Sequence, residues 1–170
     1  YMTSREYALL DRIIRDLFNN SIPRYLDFAC GTGRITSHIG GKTAKSYGVD
    51  LSSNMLDVAR KKCPDTEFIL QYITNDPLDI EPVDLVPAFR FFGNAQNDLR
   101  KQALSVLSGL VKPGGYLVFN NHRNPISISN LLLKARGNDI DVDLSHKKMS
   151  RLLNDSGFSV KRTFGVGAWF

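Results

Sequence analysis

The sequence is poor in sulfur: 170 residues hold only two cysteines and three methionines. Cys30 and Cys63 are too few for a disulfide framework and lack the paired spacing of metal ligands. A disulfide scaffold and a zinc module are thereby excluded, and no metal is expected. No apolar run reaches 18 residues, so no membrane-spanning helix and no membrane partner are expected. The chain does not open on a basic segment followed by a short apolar core, so it carries no recognisable signal peptide. An intracellular, cytoplasmic setting follows as the expectation. Repeats and low-complexity tracts are also missing, which excludes solenoids and disordered tails.

What is present is ordinary in bulk. The chain is 42% hydrophobic, 23% charged and 10% aromatic, which matches a globular domain with its own core. One domain over residues 1–170 is expected. Position 1 is Tyr, and the last six residues, from Gly165 to Phe170, are apolar. These ends read as those of a piece cut from a longer chain.

Charge is unevenly placed. Residues 1–85 hold 10 basic and 12 acidic side chains, whereas residues 86–170 hold 12 basic and 5 acidic ones. The imbalance reads either as scatter over a solvated surface or as a half that faces an anionic partner.

Periodicity then orders the chain. Tyr7, Leu10, Ile13, Ile14, Leu17 and Phe18 recur at helical spacing, with Arg5, Glu6, Asp11 and Arg12 on the polar face. From there strands and helices alternate. Strands are predicted over residues 24–29, 45–49, 66–70, 83–88, 116–121 and 158–164. Helices are predicted over 34–39, 54–62, 98–110, 126–136 and 146–155. Ser52 or Ser53 can cap the second of these, and Lys112–Gly115 reads as a tight turn. Such alternation predicts an α/β fold: a doubly wound, mostly parallel, Rossmann-like sheet covered on both faces. Ligands in such sheets bind at the carboxyl ends of the strands.

The first strand ends in Asp27-Phe28-Ala29-Cys30-Gly31-Thr32-Gly33-Arg34. Glycines let backbone turn sharply and approach a ligand. A dinucleotide fingerprint fails, because Thr36 stands where the third glycine belongs. A P-loop fails because no Gly-Lys-Ser/Thr follows. The second strand ends in Gly48-Val49-Asp50-Leu51-Ser52, and Lys112-Pro113-Gly114-Gly115-Tyr116-Leu117 precedes the fifth.

Together these three segments resemble the class I S-adenosylmethionine-dependent methyltransferases. The first resembles the family's D-x-G-x-G-x-G loop, with Ala29 in place of the first glycine. The resemblance spans about residues 22–165. It implies a methyltransferase with S-adenosyl-L-methionine as cofactor. It further implies that Ala29, Cys30, Gly31, Thr32 and Gly33 cradle the methionine part of the cofactor. Asp27 would bind the cofactor's amino group, directly or through water. Asp50 would accept two hydrogen bonds from the ribose, and Leu51 and Met55 would flank the adenine. Met55 taken alone reads more often as core.

Two features depart from the family. Tyr72 stands where an acid usually meets the adenine amino group, so the ring would be held by the backbones of Tyr72 and Ile73 or by Gln71. The family sheet has seven strands, the last antiparallel, whereas this chain supplies six. The sheet is therefore expected to be incomplete or to have its edge covered.

The acceptor side is read from the loops after strands four and five. Phe89, Arg90, Phe91 and Phe92 follow strand four. Phe89 is a cofactor-side candidate, and the aromatic cluster either stacks on a ligand or belongs to the core. Arg90 is a catalytic candidate, because a guanidinium can grip a carboxylate or phosphate. His122, after Asn120 and Asn121, is the general-base candidate, since its ordinary pKa lies near neutrality. Residues 1–20, as an N-terminal helix, and about 124–144, as an insertion, occupy the places where acceptor choice is commonly made. The reading is methyl transfer to a small-molecule acceptor, with an anionic one favoured by Arg90 and Arg123. RNA methylation and a cofactor-binding homologue without catalysis are the alternatives. Nucleic acid ranks lower, because no basic run exceeds Arg60-Lys61-Lys62.

Overall fold

The computed structural model describes residues 2–72, 78–121 and 144–165. Helix α1 (Met2–Phe18) leads into β1 (Ile22–Phe28), α2 (Arg34–Ile39), β2 (Thr43–Asp50), α3 (Ser53–Lys62) and β3 (Glu67–Leu70). Then come β4 (Val83–Ala88), α4 (Asn97–Leu110), β5 (Val111–Phe119) and α5 (His146–Asp155). The strands form one parallel sheet in the order β3-β2-β1-β4-β5. The order reverses between β1 and β4, and a ligand crevice is expected there.

Side-chain alternation builds two cores. Tyr25 and Leu85 point to one face, against Leu10 and Ile14 of α1 and Ile35 and Ile39 of α2. Leu26, Phe28, Val86 and Ala88 point to the other, against Leu104 and Leu107 of α4 and Met149 and Leu153 of α5. Strands buried on both faces explain the near-continuous apolar runs read from the sequence.

Pro87 lies inside a central strand, where its missing N–H ought to break a ladder. The β1–β4 register consists of Tyr25↔Leu85, and Pro87 pairs on the β5 side with Val118. The β1–β4 ladder therefore stops before Pro87, whose ring leaves no N–H to continue it.

Three expectations change. The segment 112–115 is not a separate turn but an irregularity inside β5: Val83 pairs with Val111, and Leu85 next pairs with Tyr116. Pro113 has no N–H to offer, and Gly114 takes φ 82°. A Cβ on Gly115 would meet the Asp84 carbonyl at 3.1 Å. Asp84 closes this end, accepting the Arg24 N–H at 3.0 Å and pairing with Lys112. Second, residues 158–164 form no strand, so the described sheet has five strands rather than six. Gly157, at φ 82°, and Phe158 instead close α5. The Phe158 N–H donates to the Leu153 carbonyl, and the ring packs on the core. Third, β1 and β2 each begin two residues earlier than the periodicity suggests. The predicted helix 126–136 lies outside the described residues. Among those described, no helix is long and apolar enough to cross a membrane.

Candidate functional site

The loop after β1 wraps into α2 through three left-handed residues: Ala29 (φ 56°), Gly31 (φ 53°) and Gly33 (φ 70°). Its ends are pinned, with the Cys30 N–H on the Val49 carbonyl and the Gly33 N–H on the Cys30 carbonyl, both at 3.0 Å. Gly33 must lack a side chain, because a Cβ there would sit 3.1 Å from that of Ala59 in α3. Thr32 closes the loop outward, its carbonyl accepting from Lys62.

Asp50, at the end of β2, is mostly buried and faces this loop. One carboxylate oxygen accepts the Gly31 N–H at 2.8 Å, and the other accepts the Ser52 N–H at 3.0 Å. Ser52 caps α3, so Asp50 is not needed as its cap. Around Asp50, the apolar side chains of Leu51, Met55 and Tyr72 are 66%, 47% and 51% exposed. The sulfur of Met55 lies 3.6 Å from where a Gly31 Cβ would be. The Gln71 N–H donates to the Asp50 carbonyl, which brings the β3 loop to the same edge. Ile73 lies outside the described residues.

Asp27 is buried beneath the loop. One oxygen accepts both the Thr36 N–H, at 3.1 Å, and the Thr36 hydroxyl, at 2.6 Å. Thr36, which spoils a dinucleotide fingerprint, is thus the residue that holds this carboxylate. Burial pushes the Asp27 carboxyl up to about 6, against the opposing pull of the Thr36 bonds. The Cys30 thiol is also buried, and desolvation drives it far above its ordinary range, so it is an inert wall of the loop.

Across the crevice, the aromatic cluster divides. Phe92 is fully buried, Phe91 stacks edge-on to both Phe28 and Phe92, and Phe89 packs against the core beneath α1. Arg90 takes φ 63°, a strained conformation for an arginine. Its N–H donates to Asn120 Oδ1 at 2.7 Å and its carbonyl accepts from Asn94 at 2.6 Å. Its guanidinium reaches toward Glu6 of α1, at 3.7 Å. Glu6 is 3% exposed and also accepts from Arg34, at 3.0 Å, and from Asn120 Nδ2, at 2.8 Å. A cavity of about 250 Å³ lies elsewhere, between the C-terminal ends of α2 and α3 and the start of β2. It touches neither Asp50 nor Arg90.

The family described as methyltransferase domain matches residues 26–115, more than half of the chain. This span contains the glycine loop, Asp50 and Arg90. The chain belongs to the class I S-adenosylmethionine-dependent methyltransferases.

An uncharacterised methyltransferase of Oceanobacillus iheyensis is 27% identical over 113 residues, covering 65% of this chain and 52% of that protein. The demethylmenaquinone methyltransferase of Chlorobaculum tepidum is 35% identical over 94 residues, covering 55% of this chain and 38% of that one. The fold matches the solved magnesium protoporphyrin IX methyltransferase of Synechocystis PCC 6803 with a TM-score of 0.77 at 19% identity. That match covers 95% of this chain and 75% of the other. The chain spans about half the length of the curated relatives it matches.

In this methyltransferase-family chain, the glycine loop, Asp50, Leu51, Met55 and Tyr72 lie along one edge, with Asp27 turned inward to Thr36 and Phe89 packed apart from them beneath α1. Arg90 stands on the predicted side. His122 and Arg123 lie outside the described residues. Glu6 and its bonds to Arg34 and Asn120 have no counterpart in the sequence reading. Glu6 reads in sequence as one of several polar residues on an amphipathic helix, and no local signal marks it. Its partners are 28, 84 and 114 residues away.

Proposed function

We propose that the chain binds S-adenosyl-L-methionine at the carboxyl ends of β1 and β2 and directs its methyl group to a small-molecule acceptor. The observation that carries this reading is the Asp50 carboxylate, bonded to Gly31 and Ser52 and bordered by exposed Leu51, Met55 and Tyr72. A carboxylate has about four acceptor positions. The two left over suit a ribose diol, and the exposed apolar side chains suit an adenine ring. The left-handed loop from Ala29 to Gly33 suits the methionine part. Asp27 suits a cationic amino group: it is a buried carboxylate whose donors among the described residues are the N–H and hydroxyl of Thr36, with the charge of Arg34 also acting on it.

When bound, the cofactor supplies an electrophilic methyl group on a sulfonium sulfur. The chain's own part is binding, alignment and exclusion of water, which reduce the entropic cost of an in-line displacement. His122 remains the proposed base, on its sequence position after β5, for an acceptor that must lose a proton. A small organic acceptor is supported by the names of the demethylmenaquinone and protoporphyrin relatives. An anionic one is supported by the basic second half of the chain.

Titration calorimetry with S-adenosylhomocysteine tests the reading. Saturable one-to-one binding is expected. No heat and no thermal stabilisation at millimolar ligand would overturn it. Release of S-adenosylhomocysteine from the cofactor in the presence of candidate acceptors then reads the transfer itself.

A further inference from the structure

Four segments distant in sequence meet on one buried carboxylate. Glu6 of α1 accepts from Arg34, which follows the glycine loop, and from Asn120, which follows β5. Asn120 uses its other end to hold the N–H of Arg90, after β4. Glu6 therefore bridges the crevice between β1 and β4, with the proposed cofactor loop on one side and the acceptor loops on the other.

The charges in this cluster do not balance. Arg34 and Arg90 bring two positive charges against the single negative charge of Glu6. Arg34 takes the short contact at 3.0 Å, whereas Arg90 stands off at 3.7 Å, beyond hydrogen-bond distance, with its side chain 52% exposed. The N–H groups of the Arg90 guanidinium have no hydrogen-bond partner among the described residues. Its backbone is held at φ 63° by bonds to Asn120 and Asn94. A strained backbone that its surroundings hold in place, carrying an unsatisfied planar donor fork, is the arrangement expected of a ligand contact.

We propose that Arg90 receives a carboxylate or phosphate group of the acceptor and that Glu6 is the positioning residue that aims it. The inference rests on the methyltransferase reading above and narrows its acceptor to one with an anionic group beside the methylated atom. Glu6 acts through Asn120 and through the direct pull on the guanidinium. It also ties α1 to both sides of the crevice.

Coulomb's law makes the proposal testable without knowing the acceptor. A carboxylate beside an anion site weakens anion binding if it acts only as a charge. On that basis Glu6→Gln would tighten binding. A positioning role demands the opposite sign. The probes are inorganic phosphate and benzoate, titrated into the chain with and without S-adenosylhomocysteine. Chloride at equal ionic strength is the control. The readout is the arginine side-chain Nε–H nuclear magnetic resonance signal of Arg90, identified by its loss in Arg90→Gln.

A saturable shift with phosphate or benzoate, absent with chloride, is expected in the parent chain. Glu6→Gln should weaken it at least five-fold. Glu6→Gln/Asn120→Asp, which moves the carboxylate across the same hydrogen bond, should restore it to within two-fold. The proposal is overturned if Arg90 responds to neither probe more than to chloride. It is equally overturned if Glu6→Gln binds as tightly as the parent or more so, or if the double variant fails to rescue. Folding of each variant is checked by its melting temperature. Binding of S-adenosylhomocysteine is measured on the same samples, so failure of the cofactor reading shows separately. Arg90→Gln, half-exposed and without a short ion pair, keeps the first arm of the test open should the Glu6 variants not fold.

Discussion

Asp27→Asn is expected to change how stability depends on pH. The Asp27 carboxyl has an ordinary value of 3.8 and is raised to about 6 in the fold, chiefly by burial. A tenfold change in proton affinity is worth about 1.4 kcal/mol, so the rise amounts to about 3 kcal/mol. The direction follows from linkage. Because the folded chain holds this proton more tightly than the unfolded chain, the stabilisation is fully present below pH 3.8. It is lost as pH rises through about 6. Asparagine keeps an oxygen for the Thr36 N–H and hydroxyl but carries no charge to desolvate. The variant should match the parent near pH 4 and exceed it by up to about 3 kcal/mol near pH 7.5. Urea unfolding at several pH values measures the difference. Parallel profiles, with a constant gap between parent and variant from pH 4 to 7.5, would refute the reasoning. A cationic group bound beside Asp27 should also displace its proton. Calorimetry of the cofactor near pH 5.5, in buffers of different ionisation heat, should show proton release in the parent and none in Asp27→Asn.

Asp50→Ala should weaken S-adenosylhomocysteine about 10- to 100-fold, the equivalent of one or two hydrogen bonds to a charged group; unchanged affinity in calorimetry removes Asp50 from the site. Ala29→Gly should stabilise the chain by about 0.5–1 kcal/mol: relief of a left-handed alanine is worth about 1–2 kcal/mol, and the greater freedom of unfolded glycine takes back about half. Denaturant unfolding reads this, and a loss of stability would show that the loop is not strained at Ala29. Gly48→Ala places a Cβ 2.6 Å from the Phe68 ring. It should destabilise the β2–β3 edge by about 1–3 kcal/mol, seen as a lower melting temperature.

The legibility of the fold follows from what each signal depends on. The parallel sheet could be read because its strands are buried on both faces and so appear as apolar runs. The glycine loop and Asp50 could be read because their geometry is local: a short turn at one strand end and an acid at the next. The bulge in β5 was read as a turn because Pro113 and Gly114 look the same in either setting. Residues 158–164 looked like a strand because Phe158 and Val160 alternate with polar neighbours. A strand also needs a ladder partner, and Phe158 is used in closing α5.

The sequence alone determined the alternation of elements, the glycine loop and the acid at the end of β2, since each depends on neighbours a few residues apart. Only the tertiary structure decided which polar groups meet. Asp27 turns to Thr36, Asp84 stitches β1 to β5, and Glu6 gathers Arg34, Arg90 and Asn120. The physical reason is that a charged side chain has no periodicity that names its partner. Its position is chosen by the cost of leaving it unpaired once the sheet has brought distant loops to one edge.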